Sequence, residues 1–365
     1  MPQTHLLRVL SKVQALSTTV FGQGAAPRDI PQFLDDPGFI THGNPDHHDH
    51  DKLGFRNAGV PRGPQLVVLG DSQVYGSRLA RDEAWPQLVE RMAKKPVYNC
   101  AVPGWGGLQY ALAMDDVLRL RPKAVLVCPY LGNDMYEAYT HSRLSEAPLA
   151  QTLLGDVSPA LPLPDGTIHA GTEGILRRYA ANHDGLDPSQ LLALCSECGE
   201  PNFHHARIGK AEFFLTEHSR TPFEDLEQPA VAAGFDITCR ALAHARDAAL
   251  AVGAAFAVMP IPTREYMVWL RRDDAELQNP GLLEQHGQVE LRLLTALMDF
   301  CRDRAIPTFD LAPSLAKYVS EGAYFQYSLD GHPSPKGARV IANIVNLRVL
   351  PELRHKARST LYPLY

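Results

Sequence analysis

The sequence of 365 residues has no apolar run long enough to span a membrane and no excess of basic residues. A spanning helix needs about 18 or more consecutive apolar residues. The formal net charge is −6, so the charge balance does not indicate nucleic acid or an anionic membrane surface as a partner. The N-terminal 26 residues are mildly amphipathic and make a poor secretory signal, because Arg8 and Lys12 interrupt the apolar positions. We expect a cytoplasmic protein, and an exported form stays open.

Cysteine is also scarce, with six residues in the whole chain. That density does not indicate a disulfide framework. Cys195 and Cys198 form a Cys-x-x-Cys pair, and His204 and His205 follow, which suggests a zinc hypothesis. A structural zinc site needs four ligands in a recognisable spacing, and a second Cys-x-x-Cys is absent. We therefore expect free thiols, no metal and no cofactor.

Apolar runs alternate with helix-like segments along most of the chain. The predicted strands are 64–70, 97–102, 123–132, 254–261 and 307–313. The predicted helices that alternate with them are 81–95, 108–120, 233–253, 282–305 and 334–350. This alternation predicts an α/β fold with a parallel five-stranded sheet and right-handed crossovers. The run 123–132 is apolar throughout, as expected for a strand that is buried on both faces.

Two regions depart from this alternation. Residues 1–60 contain the polar, turn-rich stretch GNPDHHDHDKLGFRN (43–57), which predicts an N-terminal extended segment with a solvated histidine cluster. Residues 140–230 are rich in Pro, Gly, His and Ser. A structureless loop of that length is uncommon in a compact domain, so an insertion or lid is predicted there. The main domain then covers 61–139 and 231–350, and 351–365 is a C-terminal tail.

Residues with chemical function follow several predicted strands. Ligands of a doubly wound sheet bind at the carboxyl ends of its strands. Polar or flexible residues follow the first three predicted strands: Asp71, Ser72, Gly104, Asn133 and Asp134. Asp330 and His332 follow the last predicted strand, after a short helix. The prediction rests on the convergence of these residues at one sheet edge, because each tripeptide alone is also typical of a turn.

Nucleophilic catalysis gives each of these side chains a role. A serine hydroxyl is a weak nucleophile unless an imidazole takes its proton. His332 can be that base, and Asp330 is close enough in the chain to fix its tautomer. The tetrahedral intermediate needs hydrogen-bond donors, which the amides of Ser72 and Gly104 and the side-chain amide of Asn133 can supply.

Four blocks in this order resemble the SGNH (GDSL-type) hydrolase family, bacterial branch. They are GDSQVYG (70–76), NCAVPG (99–104), GND (132–134) and DGHPSPKG (330–337). The resemblance covers roughly 60–135 and 230–350. It implies a three-layer, flavodoxin-like fold and a metal-free serine esterase or lipase mechanism, with an oxyanion hole formed by Ser72, Gly104 and Asn133. The stretches KLGFRN and PIPTREYMVW are similar to those of bacterial members linked to carbohydrate O-acyl chemistry.

The last block departs from the commonest family spacing, which has aspartate three residues before the histidine. Here Leu329 holds that position, and Asp330 is two residues before His332. A D-x-H version occurs in some bacterial branches and in related polysaccharide acyltransferases. Asp310 is the alternative acid. Trp105, beside Gly104, is the aromatic residue that we expect to bind substrate.

The sequence thus predicts a serine esterase that acts through an acyl-serine on a small-molecule or carbohydrate ester. A polysaccharide O-acyltransferase would use the same residues, with a sugar hydroxyl in place of water. A catalytically silent carbohydrate-binding or scaffold protein of the same fold is the alternative from another class. A metal-dependent function carried by the insertion is a third alternative, which the sequence favours least. The acyl group, the alcohol and the oligomeric state stay open.

Overall fold

The computed structural model describes residues 30–158, 160–163, 203–216, 224–321, 324–327 and 330–354, without the side chains of 203, 212–216, 325–327 and 330. Its strands are β1 (Phe33–Asp36), β2 (Ile40–Gly43), β3 (Leu66–Gly70), β4 (Val97–Ala101), β5 (Ala124–Cys128), β6 (Phe203–Ile208), β7 (Ala211–Thr216), β8 (Ala255–Val258), β9 (Ala275–Leu277), β10 (Phe325–Tyr327) and β11 (Asp330–Pro333).

The α-helices are α1 (Ser72–Tyr75), α2 (Trp85–Ala93), α3 (Gly107–Leu112), α4 (Met114–Arg119), α5 (Asp134–Leu144), α6 (Pro148–Leu154), α7 (Pro229–Ala251), α8 (Arg264–Trp269), α9 (Pro280–Asp303), α10 (Ala312–Val319) and α11 (Pro335–Ile344). A π-helical turn, Val345–Val349, follows α11, and short 3-10 turns lie at Arg81–Glu83 and Arg272–Asp274.

The central sheet confirms the α/β class that the apolar runs predict. Its four strands are all parallel, in the order β4-β3-β5-β8. Every residue of these strands is buried, which explains why the runs are apolar throughout rather than alternating. Within this sheet, β3 comes first in the chain and lies between β4 and β5, so the connections leave β3 in opposite directions. A sheet of this kind binds ligands at that point, beside the carboxyl ends of the strands.

The predicted fifth strand, 307–313, is the part of the sheet prediction that is wrong for the described residues. Thr308 makes one isolated parallel bridge to Val258. Pro307 has no amide hydrogen to donate to a neighbouring strand. The amide of Phe309 donates to Val258 O. The chain then turns into α10, whose cap is Leu311. The pairing is therefore limited to a single bridge.

Helices cover this sheet in two groups. Helix α2 packs against α11, and α7 packs against α3 and α5. At the crossing of α7 and α5, a Cβ on Gly234 would lie 1.7 Å from the carbonyl oxygen of Met135. Only glycine permits this approach, which fixes α5 closely against α7.

The described part of the N-terminal segment, 30–60, contains β1 and β2 as an antiparallel hairpin, and Trp105 of the domain donates to Thr41 O in it. The expected solvated histidine cluster is wrong for His47 and His50, which are buried. Burial lowers the pKa of His50 to about 4. Its ring lies within hydrogen-bond distance of Tyr75 Oη and Asn44 O, so buried polar partners take the place of water.

The predicted insertion is described only in part. Residues 140–154 complete α5 and form α6, whose Leu153 and Leu154 lie in an apolar cluster with residues of α7. Strands β6, β7 and β9 form a separate antiparallel sheet. Cys195 and Cys198 lie outside the described residues, as does most of the predicted C-terminal tail, and the insertion or lid stays a prediction.

Candidate active site

Ser72 is the first residue of α1, directly beyond the carboxyl end of the central strand β3. Asp71 caps this helix, since its Oδ1 accepts a hydrogen bond from the amide of Gln73 at 2.9 Å. Ser72 is partly exposed, whereas Asp71 and Gln73 on either side of it are buried. The strand-to-helix turn therefore presents one reactive side chain at the sheet edge.

His332 lies on β11, 260 residues further along the chain, and meets this serine. Its Nε2 is 2.9 Å from Ser72 Oγ, and the residue is 8% exposed. The strand is fixed just beyond the histidine, because the amide of Ser334 donates to Tyr324 O and Ser334 Oγ caps α11 at Gly337. An imidazole held within hydrogen-bond distance of a serine is the geometry that a general base requires.

Asp71 is a second partner of the serine. Ser72 Oγ donates to Asp71 Oδ2 at 3.0 Å. The carboxylate is fully buried, and burial raises its pKa. The hydrogen bond from Gln73 and the charge of His332 oppose that increase.

Gly104 lies in the turn between β4 and α3. Its φ of +80° is in the left-handed region, which a residue with a Cβ rarely adopts. Apart from its own atoms and those of its two chain neighbours, no described atom lies within 4 Å of the position that a Cβ would take. Two residues later, a Cβ on Gly106 would lie 2.7 Å from Asp134 O. The Gly104 turn is thus packed against the start of α5, next to Asn133.

Asn133 and Asp134 are adjacent but differ in environment. Asn133 is partly exposed, and its Nδ2 donates to Glu137 Oε1 at 2.7 Å. Asp134 is fully buried, and its Oδ2 accepts from Tyr110 Oη and from the amide of Tyr130. Burial, and then the charges of Asp71 and Glu137, raise the pKa of Asp134 well above its ordinary value. Asp134 is therefore placed to hold α3 and α5 together, while Asn133 retains a second amide hydrogen.

Trp105 does not lie where the sequence prediction placed it. The side chain is fully buried, its Nε1 donates to Thr41 O at 2.7 Å, and its ring stacks on Phe39 at 5.2 Å. It packs the N-terminal hairpin against the domain instead of lining an open cleft. Direct contact with substrate is not supported by this position.

The two candidate acids are at different places. Asp330 begins β11, two residues before His332, and its side chain lies outside the described part of the chain. Asp310 is exposed, and its Oδ1 accepts from the amide of Ala312 at the start of α10. The role of Asp330 in orienting His332 stays a prediction.

Sequence reasoning missed Glu137, the partner of Asn133. The signal was present, because residues four apart at the start of a helix lie on one face and can hydrogen-bond. It also missed the bond from Gln73 Nε2 to Gly331 O at 3.5 Å, which joins the serine helix to the histidine strand. That bond joins residues 258 positions apart, so no local pattern predicts it.

Within the described ranges, no three His, Cys, Asp or Glu side chains are grouped as a metal site would group them. Four cysteines in this part, at 100, 128, 239 and 301, are buried free thiols. None of the described helices is long and apolar enough to cross a membrane.

Fold and site together define an α/β protein with a serine–histidine pair at the carboxyl edge of a parallel sheet. No protein-family model matches this sequence, and no curated protein matches it significantly. Solved structures do show similarity to it. One is a proposed lipolytic protein of the G-D-S-L family from Desulfitobacterium hafniense, at 11% identity and a TM-score of 0.39, covering 77% of this chain and 98% of that one.

Two further structures are similar at the same level. A proposed acylhydrolase from Bacteroides fragilis has 13% identity and a TM-score of 0.40, covering 81% of this chain and 92% of its own. A member of the lipolytic protein G-D-S-L family from Veillonella parvula has 11% identity and a TM-score of 0.37, covering 78% and 97%. Because these TM-scores are below 0.5, the functional assignment below rests on the geometry of the site.

Proposed function

We propose that this protein is a serine esterase that hydrolyses carboxylic esters through an acyl-serine intermediate. The observation that carries the proposal is the 2.9 Å approach of His332 Nε2 to Ser72 Oγ. This contact joins two distant parts of the chain at the sheet edge where such a fold binds ligands. Gly104 and Asn133 lie on loops that follow neighbouring parts of the same sheet, where Gly106 packs against Asp134, and both are partly exposed, as Ser72 is.

In the first half of the reaction, His332 Nε2 takes the hydroxyl proton while Ser72 Oγ attacks the ester carbonyl carbon. The negative charge that develops on the carbonyl oxygen is stabilised by the amides of Ser72 and Gly104 and by Asn133 Nδ2. Collapse of this intermediate breaks the bond to the alcohol oxygen. The alcohol leaves with the proton that His332 held.

In the second half, water replaces the alcohol. His332 takes a proton from the water, the resulting hydroxide attacks the acyl carbon, and the carboxylic acid leaves as Ser72 recovers its proton. Asp330 is assigned the orientation of the imidazole during both halves. A carbohydrate O-acetyl group is the substrate that we propose first, on the sequence similarity of KLGFRN and PIPTREYMVW to family members with that chemistry.

The test is hydrolysis of p-nitrophenyl esters, from acetate to decanoate, by the wild-type protein and by Ser72→Ala. We expect acetate turnover in the wild type and a decrease of roughly four to six orders of magnitude in kcat in the variant. Ser314→Ala, at a serine of α10 that binds Arg348, is the matched control and should retain full activity. Retained turnover in Ser72→Ala would overturn the assignment.

The same panel separates the alternatives. Preference for long acyl chains would point to lipid esters rather than to acetylated sugars. Absence of turnover with every ester, followed by acetyl transfer to an added sugar, would identify the acyltransferase. Absence of both activities would favour the silent scaffold.

A further inference from the structure

Residues 44–57 wrap around the short helix that carries Ser72. Helix α1 has four residues, and a helix of that length has little stability of its own. Its position therefore depends on partners outside it. The N-terminal segment supplies several of them, although none of its residues was predicted to belong to the site.

Arg56 makes the most direct of these contacts. Its Nη1 donates to Gly76 O at 2.7 Å and its Nη2 to Leu79 O at 2.6 Å. The guanidinium carbon also lies 4.8 Å from the centre of the Tyr75 ring. Arg56 thus binds the end of α1 and the turn after it, where carbonyl groups have no partner within the helix.

The charge of Arg56 is balanced and its position is fixed. Its Nε donates to Asp49 Oδ2 at 2.5 Å, and the residue is 6% exposed. The guanidinium is a planar fork that points several donors in fixed directions, so it can bind two carbonyls and a carboxylate at the same time. A lysine ammonium retains the charge without that geometry.

A second set of contacts holds α1 from the sheet side. Asn57 accepts from the amide of Asn99 at 3.0 Å and donates to its carbonyl at 2.9 Å, as a neighbouring strand would. Asn99 Nδ2 in turn donates to Val74 O at 3.1 Å. Arg56 therefore binds the carboxyl end of the serine helix directly. Asn57 binds the same helix indirectly, through Asn99 of β4.

The last residue of α1 is bound at its side chain as well. Tyr75 Oη lies 2.8 Å from His50 Nε2 and accepts from Gln32 Nε2 at 2.5 Å. Both partners belong to the N-terminal segment. With Arg56 at its carbonyl end, α1 is held at its side chain, at its backbone and through the sheet.

We propose that Arg56 is a positioning residue that sets the orientation of Ser72 toward His332, an inference that rests on the proposed esterase function. A rotation of α1 would move Ser72 Oγ relative to His332 Nε2, and a displacement of about 1 Å costs about 100-fold in rate. We expect the effect on kcat, because Arg56 is buried and its donors are occupied by Asp49 and by the carbonyls of Gly76 and Leu79.

The experiment compares Arg56→Ala and Arg56→Lys with wild type, with Arg119→Ala as the matched control. Arg119 is an exposed arginine that also pairs with an aspartate, Asp116. Two kinds of measurement are made on folded protein well below its melting temperature. Steady-state kinetics give kcat and KM for the best ester, and mass spectrometry gives the amide hydrogen exchange of the peptide that covers 70–80.

We expect Arg56→Ala to lower kcat by about 10-fold to 100-fold with KM changed less than about threefold. Exchange should accelerate in the same variant at the amides of residues 75, 76 and 79, which are hydrogen-bonded within this segment. Arg56→Lys should lie between wild type and alanine in both measurements. Added guanidinium should restore part of the kcat of Arg56→Ala.

Each outcome distinguishes this proposal from the proposed function. Unchanged kcat and unchanged exchange in folded Arg56→Ala would overturn the positioning role while leaving the esterase intact. A wild type without ester turnover would count against the esterase, and the exchange measurement alone would then decide whether Arg56 holds α1. If Arg56→Ala does not fold, Arg56→Lys carries both measurements, and wild-type values for it would overturn the proposal.

Discussion

The hydroxyl of Ser72 has one hydrogen and two acceptors within 3.0 Å, Nε2 of His332 and Oδ2 of Asp71. Attack on an ester requires that the hydrogen pass to His332. The carboxylate of Asp71 is fully buried and already accepts a hydrogen bond from the amide of Gln73. We infer that Asp71 holds the turn and steadies the hydroxyl, while the imidazole takes the proton.

Also at the scale of single residues, Asn133→Ala should lower kcat by about 100-fold to 1000-fold, because one donor to the oxyanion is removed. KM should change little, since that donor acts mainly in the transition state. Steady-state kinetics with the best ester measure both. Glu137→Gln is the control, because glutamine still offers an oxygen to Asn133 Nδ2. Equal kcat in wild type and Asn133→Ala would remove Asn133 from the oxyanion hole.

At the scale of helices and strands, close contacts between backbones place the loops of the site. Gly106 brings the turn after β4 against the start of α5, and Gly234 brings α7 against Met135 in the first turn of the same helix. Both contacts converge on the segment that begins at Asn133. The orientation of the asparagine therefore depends on the packing of α3, α5 and α7.

Gly234→Ala should destabilise the protein by roughly 1–3 kcal/mol, because the added methyl group would meet the carbonyl of Met135 and force α5 and α7 apart. Chemical denaturation measures the change in the free energy of unfolding. Gly281→Ala in α9 is the matched control, since its Cβ would lie 3.6 Å or more from its neighbours and its effect should stay below about 1 kcal/mol. Equal stability of the two variants would contradict this account of the crossing.

The elements of the main sheet were the most predictable part of the fold. Runs that are buried on both faces are apolar throughout, so 64–70, 97–102, 123–132 and 254–261 each contain an observed strand. The hairpin of β1 and β2 was not predicted, because its residues are polar or only half buried and show no clear period. Its stability comes from contacts such as Trp105 with Thr41, which no local pattern shows.

The candidate site was predictable to the extent that it follows strand ends. Ser72, Gly104 and Asn133 each follow a strand, and parallel strands bring those ends together. His332 required the order of motifs, since it is distant in the chain. Arg56 and Asn57 were not predictable, because a buried polar residue differs from an exposed one only in the partners that the fold brings to it.

At the scale of the whole molecule, buried histidines make stability depend on pH. Burial lowers the pKa of His141 to about 4. Its Nδ1 lies 2.9 Å from Gln109 Nε2, which is a hydrogen-bond donor. The orientation of this side-chain amide is fixed because Gln109 Oε1 accepts from the amide of Gly106. This arrangement requires an unprotonated Nδ1. His50 is buried in the same way, with its pKa lowered to about 4.

Because these histidines are buried in the neutral form, they do not oppose folding at neutral pH and above, where the unfolded chain is also unprotonated at these positions. Between about pH 6.5 and about pH 4 the unfolded chain binds the proton more readily, so stability falls as the pH falls through this window. His141 alone should account for a loss of roughly 2 kcal/mol between pH 7 and pH 5.

Urea denaturation of wild type and His141→Gln at these two values measures the difference. The variant should lose less stability on acidification than wild type, because glutamine has no proton to gain. His244→Gln, at an exposed position of α7, should keep the wild-type dependence. A variant that loses as much stability as wild type would show that His141 does not contribute.

The most direct test of the whole account is the chemical identity of the nucleophile. A fluorophosphonate forms a bond from phosphorus to a catalytic serine oxygen and releases fluoride, and the mass of the intact protein followed by peptide mapping locates the adduct. The account predicts one adduct on Ser72, none on Ser72→Ala, and much slower labelling of His332→Ala. Turnover of an ester with the adduct on another residue, or with no adduct at all, would contradict it.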